Sequence, residues 1–173
     1  ESLDADAVKK VQPSIDVDGL KRAFGEMREL DVDIDEIKVL SGAATTSAGT
    51  SEVDGATIDM ANFDGCLFIA KFGTAADDNT LQAQQSTDSG FASPADLEGT
   101  KVAVGTGASN ELVYLDLYRP QERYVRVQAQ RGTSTTLDWV VALQYGPRKL
   151  PVDNDVAGTI AGEIHASPDE GTV

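Results

Sequence analysis

The sequence predicts a mainly β protein, an antiparallel β-sandwich or jelly-roll-like domain preceded by an N-terminal arm that carries a short helix. Short apolar segments of strand length recur at regular spacing and are separated by turns rich in Gly and Pro, which is typical of sandwiches and barrels. Long segments with helical periodicity are nearly absent. We expect an arm over residues 1–35, the sandwich over 36–150 and a C-terminal extension over 151–173.

The arm contains a short amphipathic pattern that begins after Asp18, a residue suited to cap a helix. Its apolar positions follow the helical repeat and form one stripe: Leu20, Phe24, Met27 and Leu30. A helix of about three turns is unstable alone in water. We therefore expect the stripe to dock, either on its own domain or on a neighbouring subunit.

Strand patterns then follow one another through the first half of the sandwich. We predict strands over residues 36–40, 66–72, 79–85 and 101–104, with a loop of small residues over 41–52. The segment 66–72 is apolar at both alternating sets of positions, so we expect a central strand buried on both faces.

Residues 112–118 and 123–130 flank Arg119-Pro120-Gln121-Glu122, and Pro at the second position of a turn favours type I geometry. This pattern predicts a β-hairpin. Because successive side chains of a strand point to opposite faces, we expect one alternate set on each strand to point inward and the other set to point outward. The inward set is Val113, Leu115, Leu117, Val125, Val127 and Ala129.

The last predicted strand places alternate large residues on one face: Leu137, Trp139, Val141, Leu143 and Tyr145. Buried aromatic side chains contribute heavily to cores. We expect this face to supply much of the core.

Acidic residues outnumber basic ones, 29 Asp and Glu against 14 Lys and Arg, for a formal net charge of −15. A surface this negative repels phosphates and anionic lipids, which argues against nucleic acid and membrane partners. No apolar stretch approaches membrane-spanning length and no signal peptide is recognisable, so we expect no membrane span. The acids either face a basic partner or adapt the protein to high salt. Their spread along the chain favours the second interpretation, and the composition resembles that of haloarchaeal proteins.

The candidate chemical groups form no complete catalytic motif. Cys66 lies in an apolar run, so we expect a buried free thiol. His165 has no nucleophile nearby in sequence. The Gly105-Ser109 segment lacks the Lys of a phosphate-binding loop. Residues 16–19 and 153–155 do not continue as calcium-binding loops. We expect a protein that is not an enzyme and that needs neither cofactor nor metal.

One run of segments resembles small structural proteins of tailed viruses that are encoded among the head genes, in particular capsid decoration, or cement, proteins with jelly-roll folds. The resemblance covers about residues 55–130 and lies in residues 59–68, 81–86, 96–100, 115–120 and 123–126. It implies a virion protein on the outer capsid surface that binds and stabilises the shell of major capsid proteins. It also implies self-association as a dimer or trimer, and the acidic composition suggests a haloarchaeal virus.

Large apolar, Arg and Tyr side chains are the usual anchors of protein interfaces. The interface candidates are Leu20, Phe24, Met27, Leu30, Tyr118, Arg119 and Arg123. Two other functions remain open: a different virion component, such as a turret base, head–tail connector or tail protein, and a glycan-binding or hydrolytic β-sandwich module.

Overall fold

A computed structural model describes residues 36–154 and 160–162, and these residues form a β-sandwich. The strands are β1 (Lys38–Ala43), β2 (Val53–Asp54), β3 (Ile58–Asp59), β4 (Phe63–Phe72), β5 (Asn79–Ser86), β6 (Ala95–Asp96), β7 (Val102–Val104), β8 (Leu112–Tyr118), β9 (Tyr124–Gln130) and β10 (Leu137–Pro147). The mainly β, antiparallel sandwich that the sequence predicts is confirmed. The arm and its helix, with Leu20, Phe24, Met27 and Leu30, lie outside the described residues.

Two antiparallel sheets make up the sandwich. The first has four strands in the order β1-β10-β4-β8. The second is built on β9 and β5: β9 also pairs with β2 and β3, and β5 also pairs with β6 and β7. Every one of these pairings is antiparallel, so the described strands need only turns and short crossings to connect them.

The core lies between the sheets and is built from alternate residues of the long strands. Phe68 and Phe72 of β4 pack with Leu81 of β5 and Val125 of β9, all fully buried. Aromatic and branched side chains at every second position bury one face of each strand. This burial is the main contribution to the stability of a sandwich. The inward set predicted for residues 112–130 is confirmed at Leu115, Leu117, Val125, Val127 and Ala129, and Val113 is partly buried.

The predicted hairpin between residues 112–118 and 123–130 is wrong, although both strands are present. β8 pairs with β4 in the first sheet, whereas β9 pairs with β5 in the second. The turn therefore crosses from one sheet to the other. At its start Arg119 takes a left-handed backbone conformation (φ 50°) and donates its N–H to the Asp64 carbonyl (2.7 Å). This bond extends the pairing of β8 with β4 by one residue pair, and the turn toward the second sheet begins there.

The predicted face of the last strand is also wrong. Val140, Ala142 and Gln144 point into the core, while Trp139, Val141, Leu143 and Tyr145 lie half-buried on the opposite face. Only Leu137 of the predicted set is buried, because the pairing with β4 shifts by one residue between Leu137 and Trp139. A one-residue shift moves every later side chain to the other face of the sheet.

The central position of the predicted strand 66–72 is confirmed, because β4 lies between β10 and β8. The predicted burial of this strand on both faces is not confirmed. Cys66, Phe68, Ala70 and Phe72 are fully buried, whereas Leu67, Ile69 and Lys71 are only partly buried. The described residues contain no helix long and apolar enough to cross a membrane.

Candidate binding site

Three turns meet at one end of the sandwich and bring three arginines together. The β8–β9 turn supplies Arg119 and Arg123, and Arg148 directly follows β10. Backbone hydrogen bonds fix these turns against the start of β4: Met60 N–H donates to the Arg123 carbonyl (2.8 Å) and Arg148 N–H donates to the Asn62 carbonyl (2.9 Å). The arginine positions are therefore set by the sheet framework.

Between these turns lies an open depression of about 610 Å³, which we call the tip groove. Its lining residues are Met60, Ala61, Phe63, Asp64, Arg119, Pro120, Gln121, Glu122, Arg123 and Arg148. The lining combines apolar groups with guanidinium and carboxylate groups. It contains no hydroxyl, thiol or imidazole that could act as a nucleophile or as a histidine base.

The arginines of the tip groove differ in how firmly they are held. Arg123 forms a bidentate pair with Asp59, with Nε donating to Oδ1 (2.9 Å) and Nη2 to Oδ2 (2.7 Å). This pair lowers the pKa of the Asp59 carboxyl and raises the pKa of the Arg123 guanidinium. Arg119 and Arg148 share Asp64 at 3.9 Å each, which is too long for a hydrogen bond.

Arg119 and Arg148 are therefore available to a ligand. Their side chains are 68% and 67% exposed, so a carboxylate from a partner can replace water around either guanidinium. Three of the 14 basic residues in a chain of net charge −15 line this one groove. The tip groove is suited to a segment that carries acidic and apolar side chains.

A second surface is the side of the four-stranded sheet that faces away from the core, which we call the outer face. Its residues are Val39 and Ser41 of β1, Trp139, Val141, Leu143 and Tyr145 of β10, Gly65, Leu67, Ile69 and Lys71 of β4, and Leu112, Tyr114, Asp116 and Tyr118 of β8. Most of these side chains are apolar. An apolar area of this kind on a protein surface marks an interaction site.

The corresponding face of the other sheet is polar, and the contrast sets the outer face apart. There Arg126 forms an ion pair with Asp54 (3.1 Å) and donates to Gln84 Oε1 (2.8 Å), while Gln128 donates to Asp54. Phe91 covers this network, with its ring centroid 4.5 Å from the Arg126 guanidinium carbon. The two exterior sides of one sandwich thus have opposite chemical character.

The structure brings three of the predicted interface residues together. Arg119 and Arg123 line the tip groove, and Tyr118 lies beside it on β8, 63% exposed and 5.1 Å from the Arg119 guanidinium carbon. Sequence reasoning missed Arg148 and Asp64. Both lie at the paired ends of β10 and β4, where Pro147 is in register with Phe63, and that register is not visible in the sequence.

The other chemical candidates in the described part of the chain lie outside the lining of the tip groove. Cys66 is buried, and burial raises the pKa of its thiol to about 12, with a smaller effect of Asp116. Residues 106–108 form a short 3-10 turn. Asn154 uses its side chain to bond Val39 N–H and the Ile37 carbonyl, both at 2.8 Å. No group of three or more His, Cys, Asp or Glu within the described ranges could hold a metal ion, and His165 lies outside them.

No family model and no curated protein matches the sequence. Several solved structures show partial similarity, among them the following three. The PBSX exported protein XepA matches 76% of this chain with 18% identity and a TM-score of 0.45. The Tobacco streak virus coat protein matches 75% with 14% identity and a TM-score of 0.38. PirA matches 68% with 14% identity and a TM-score of 0.33.

These matches differ in how much of the other protein they cover. They cover 43% of XepA, 99% of the coat protein and 100% of PirA. The chain therefore spans less than half the length of XepA. At these identities and TM-scores the similarities identify neither a family nor a function.

Proposed function

We propose that this chain is a non-catalytic structural protein of a virus particle, a decoration or cement protein on the outer surface of a shell of major capsid proteins. The observation that carries the proposal is the tip groove, where three arginines and several apolar side chains line one depression on a strongly acidic chain. Support also comes from the sequence resemblance to tailed-virus decoration proteins, which includes Arg119 and Arg123 of the groove.

In this proposal the groove receives an acidic loop or terminal segment of the shell protein. Arg119 and Arg148 form charge-assisted hydrogen bonds with its carboxylates. Met60, Phe63 and Pro120 contact its apolar side chains. Arg123 remains paired with Asp59 and holds the β8–β9 turn in place.

The test mixes purified protein with capsids stripped of surface proteins and measures binding by co-sedimentation and capsid heat stability by calorimetry. We expect saturable binding at many sites per particle and a higher capsid melting temperature. The single variants Arg119→Glu and Arg148→Glu should each bind at least tenfold more weakly, because each replaces attraction with repulsion.

Lys101→Glu is the matched control, because it makes the same charge change at an exposed residue outside the groove. It should bind like the unchanged protein. Failure to bind the shell would overturn the proposal, and equal weakening by Lys101→Glu would remove the role of the groove. A few copies confined to one vertex would instead indicate a connector, and binding on a glycan array would indicate a carbohydrate-binding module.

A further inference from the structure

β8 is the one long and regular free edge among the described strands. β2, β3 and β6 have two residues each and β7 has three. β1, the opposite edge of the four-stranded sheet, has a register shift between Ser41 and Ala43 and is capped by Asn154. Short length, irregularity and covering are the usual protections of a sheet edge against pairing with another chain.

β8 lacks these protections. Its pairing with β4 runs without a shift from Gly65↔Tyr118 to Lys71↔Leu112. The strand contains no Pro and no Lys, the residues that most often block an edge. Within the described part of the chain, no backbone or side-chain group hydrogen-bonds to the side of β8 that faces away from β4.

Three of the four side chains that β8 contributes to the outer face are apolar or aromatic, and the fourth, the exposed Asp116, accepts a hydrogen bond from the Tyr145 hydroxyl. Leu112, Tyr114 and Tyr118 are 63%, 71% and 63% exposed, and they continue the apolar outer face to the very edge of the sheet. Exposed apolar groups beside unpaired backbone donors and acceptors form a template for strand addition.

We propose that β8 pairs antiparallel with β8 of a second copy of this chain, about a two-fold axis at Leu115. The two four-stranded sheets then become one sheet of eight strands with a continuous apolar outer face. Two-fold pairing is the commonest form of self-association, because each copy uses the same surface. This inference is independent of the proposed binding to a shell.

The charge pattern of β8 favours a second copy as the occupant. Full overlap of Leu112–Tyr118 with itself places Leu112 opposite the partner's Tyr118 and Tyr114 opposite the partner's Asp116. Apolar cross-strand pairs stabilise a sheet, and like charges directly opposite destabilise it. This register avoids like-charge pairs and brings Glu111 level with the partner's Arg119, an attraction at both ends.

The first experiment measures the dimer dissociation constant by analytical ultracentrifugation in molar KCl, where the repulsion between chains of net charge −15 is screened. Tyr114→Glu should raise that constant at least tenfold, because it places a carboxylate directly opposite the partner's Asp116. Leu150→Glu, at another exposed apolar residue (48% exposed), is the control and should dimerise normally. Both variants increase the net negative charge equally, so a difference between them reports position.

The second experiment tests the register by cross-linking with a short thiol-reactive reagent. A mixture of the Leu112→Cys and Tyr118→Cys variants should give cross-linked dimers, whereas each variant alone should not. The buried Cys66 does not compete. A protein that stays monomeric up to millimolar concentration, a dimer unaffected by Tyr114→Glu, or cross-linking of either single variant on its own would each overturn the proposal.

Discussion

The hydroxyl of Tyr145 donates a hydrogen bond of 2.8 Å to Asp116 Oδ1, across the strand that lies between β10 and β8. Burial and this bond both raise the pKa of the Tyr145 hydroxyl, which therefore stays protonated and can donate at neutral pH. Gly65 lies in register between Tyr145 and Tyr118. Because it has no side chain, the Tyr145 ring can lie across it.

Gly65→Ala should destabilise the protein by about 1–3 kcal/mol, the usual effect of an overpacked site. A Cβ at this position would overlap the Tyr145 ring, so the ring must move and lose its bond to Asp116. Chemical denaturation measures the change. Gly107→Ala is the control, because a Cβ there meets no atom within 4 Å. Equal effects of the two substitutions would show that the Tyr145 ring does not lie over Gly65.

The Asp59–Arg123 pair predicts part of the response to acid. The pKa of Asp59 is lowered in the folded state, mainly by its hydrogen bonds with Arg123. Its contribution to stability is therefore present above the unfolded-state pKa of about 3.9 and is lost as pH falls through the lower folded-state pKa. Asp59→Asn should lower the melting temperature at pH 7 and converge with the unchanged protein at the acid end.

Glu98→Gln provides the control for this pH series, because Glu98 is an exposed acid with no ion pair or side-chain hydrogen bond in the described part of the chain. It should leave the difference between neutral and acid stability unchanged. A constant gap between Asp59→Asn and the unchanged protein at every pH would contradict the role assigned to the ion pair.

At the scale of the elements, the strand segments were predictable from alternation, but two of their spatial relations were not. The pattern of residues 112–130 gives the inward and outward sets correctly, because alternation is a property of each strand alone. Whether two successive strands pair or lie in opposite sheets depends on partners distant in the chain. A Pro-containing turn is compatible with both outcomes, and the distant partners, β4 for β8 and β5 for β9, distinguish them.

The orientation of β10 is the second spatial relation that could not be predicted from the sequence. Leu, Trp, Val and Tyr at every second position favour the core face on hydrophobicity alone. The shift after Leu137 turns these residues outward and puts the smaller Val140 and Ala142 inside. An apolar outer face and a core face cannot be distinguished by composition, because both are built from the same residue types.

Two neighbouring valines test this assignment of faces. Val140→Ala should lower the free energy of unfolding by about 1–3 kcal/mol, because it removes buried methyl groups and leaves a cavity. Val141→Ala removes the same atoms from the half-buried outer face and should have a clearly smaller effect. Equilibrium denaturation of both variants measures the difference. A larger effect of Val141→Ala than of Val140→Ala would instead support the core face that the sequence predicts.

At the scale of the whole molecule, the tip groove was only half predictable. Arg119 and Arg123 are close in sequence and fall in one turn, so they could be nominated together. Arg148 and Asp64 join them only because the ends of β10 and β4 are paired. The net charge, by contrast, is a property of composition and needs no fold.

We expect the melting temperature to rise by about 10 °C or more between low salt and molar KCl. Screening weakens the self-repulsion of a chain of net charge −15. Differential scanning calorimetry over a series of KCl concentrations measures the effect. A potassium sulfate series at equal ionic strength separates screening from the strengthening of apolar burial by sulfate. A melting temperature independent of salt would contradict adaptation to high salt.

The hydrogen bonds of Asn154 to Val39 and Ile37 also have a practical meaning. They hold Asn154 against the first strand, so residues far apart in the sequence lie together at the β1 edge. Three strand spacings, about 14 Å, separate that edge from β8. Fluorophores placed at Ile37 and at Asp153, beside Asn154, should therefore lie close together within one molecule, while β8 stays free to pair with a second molecule.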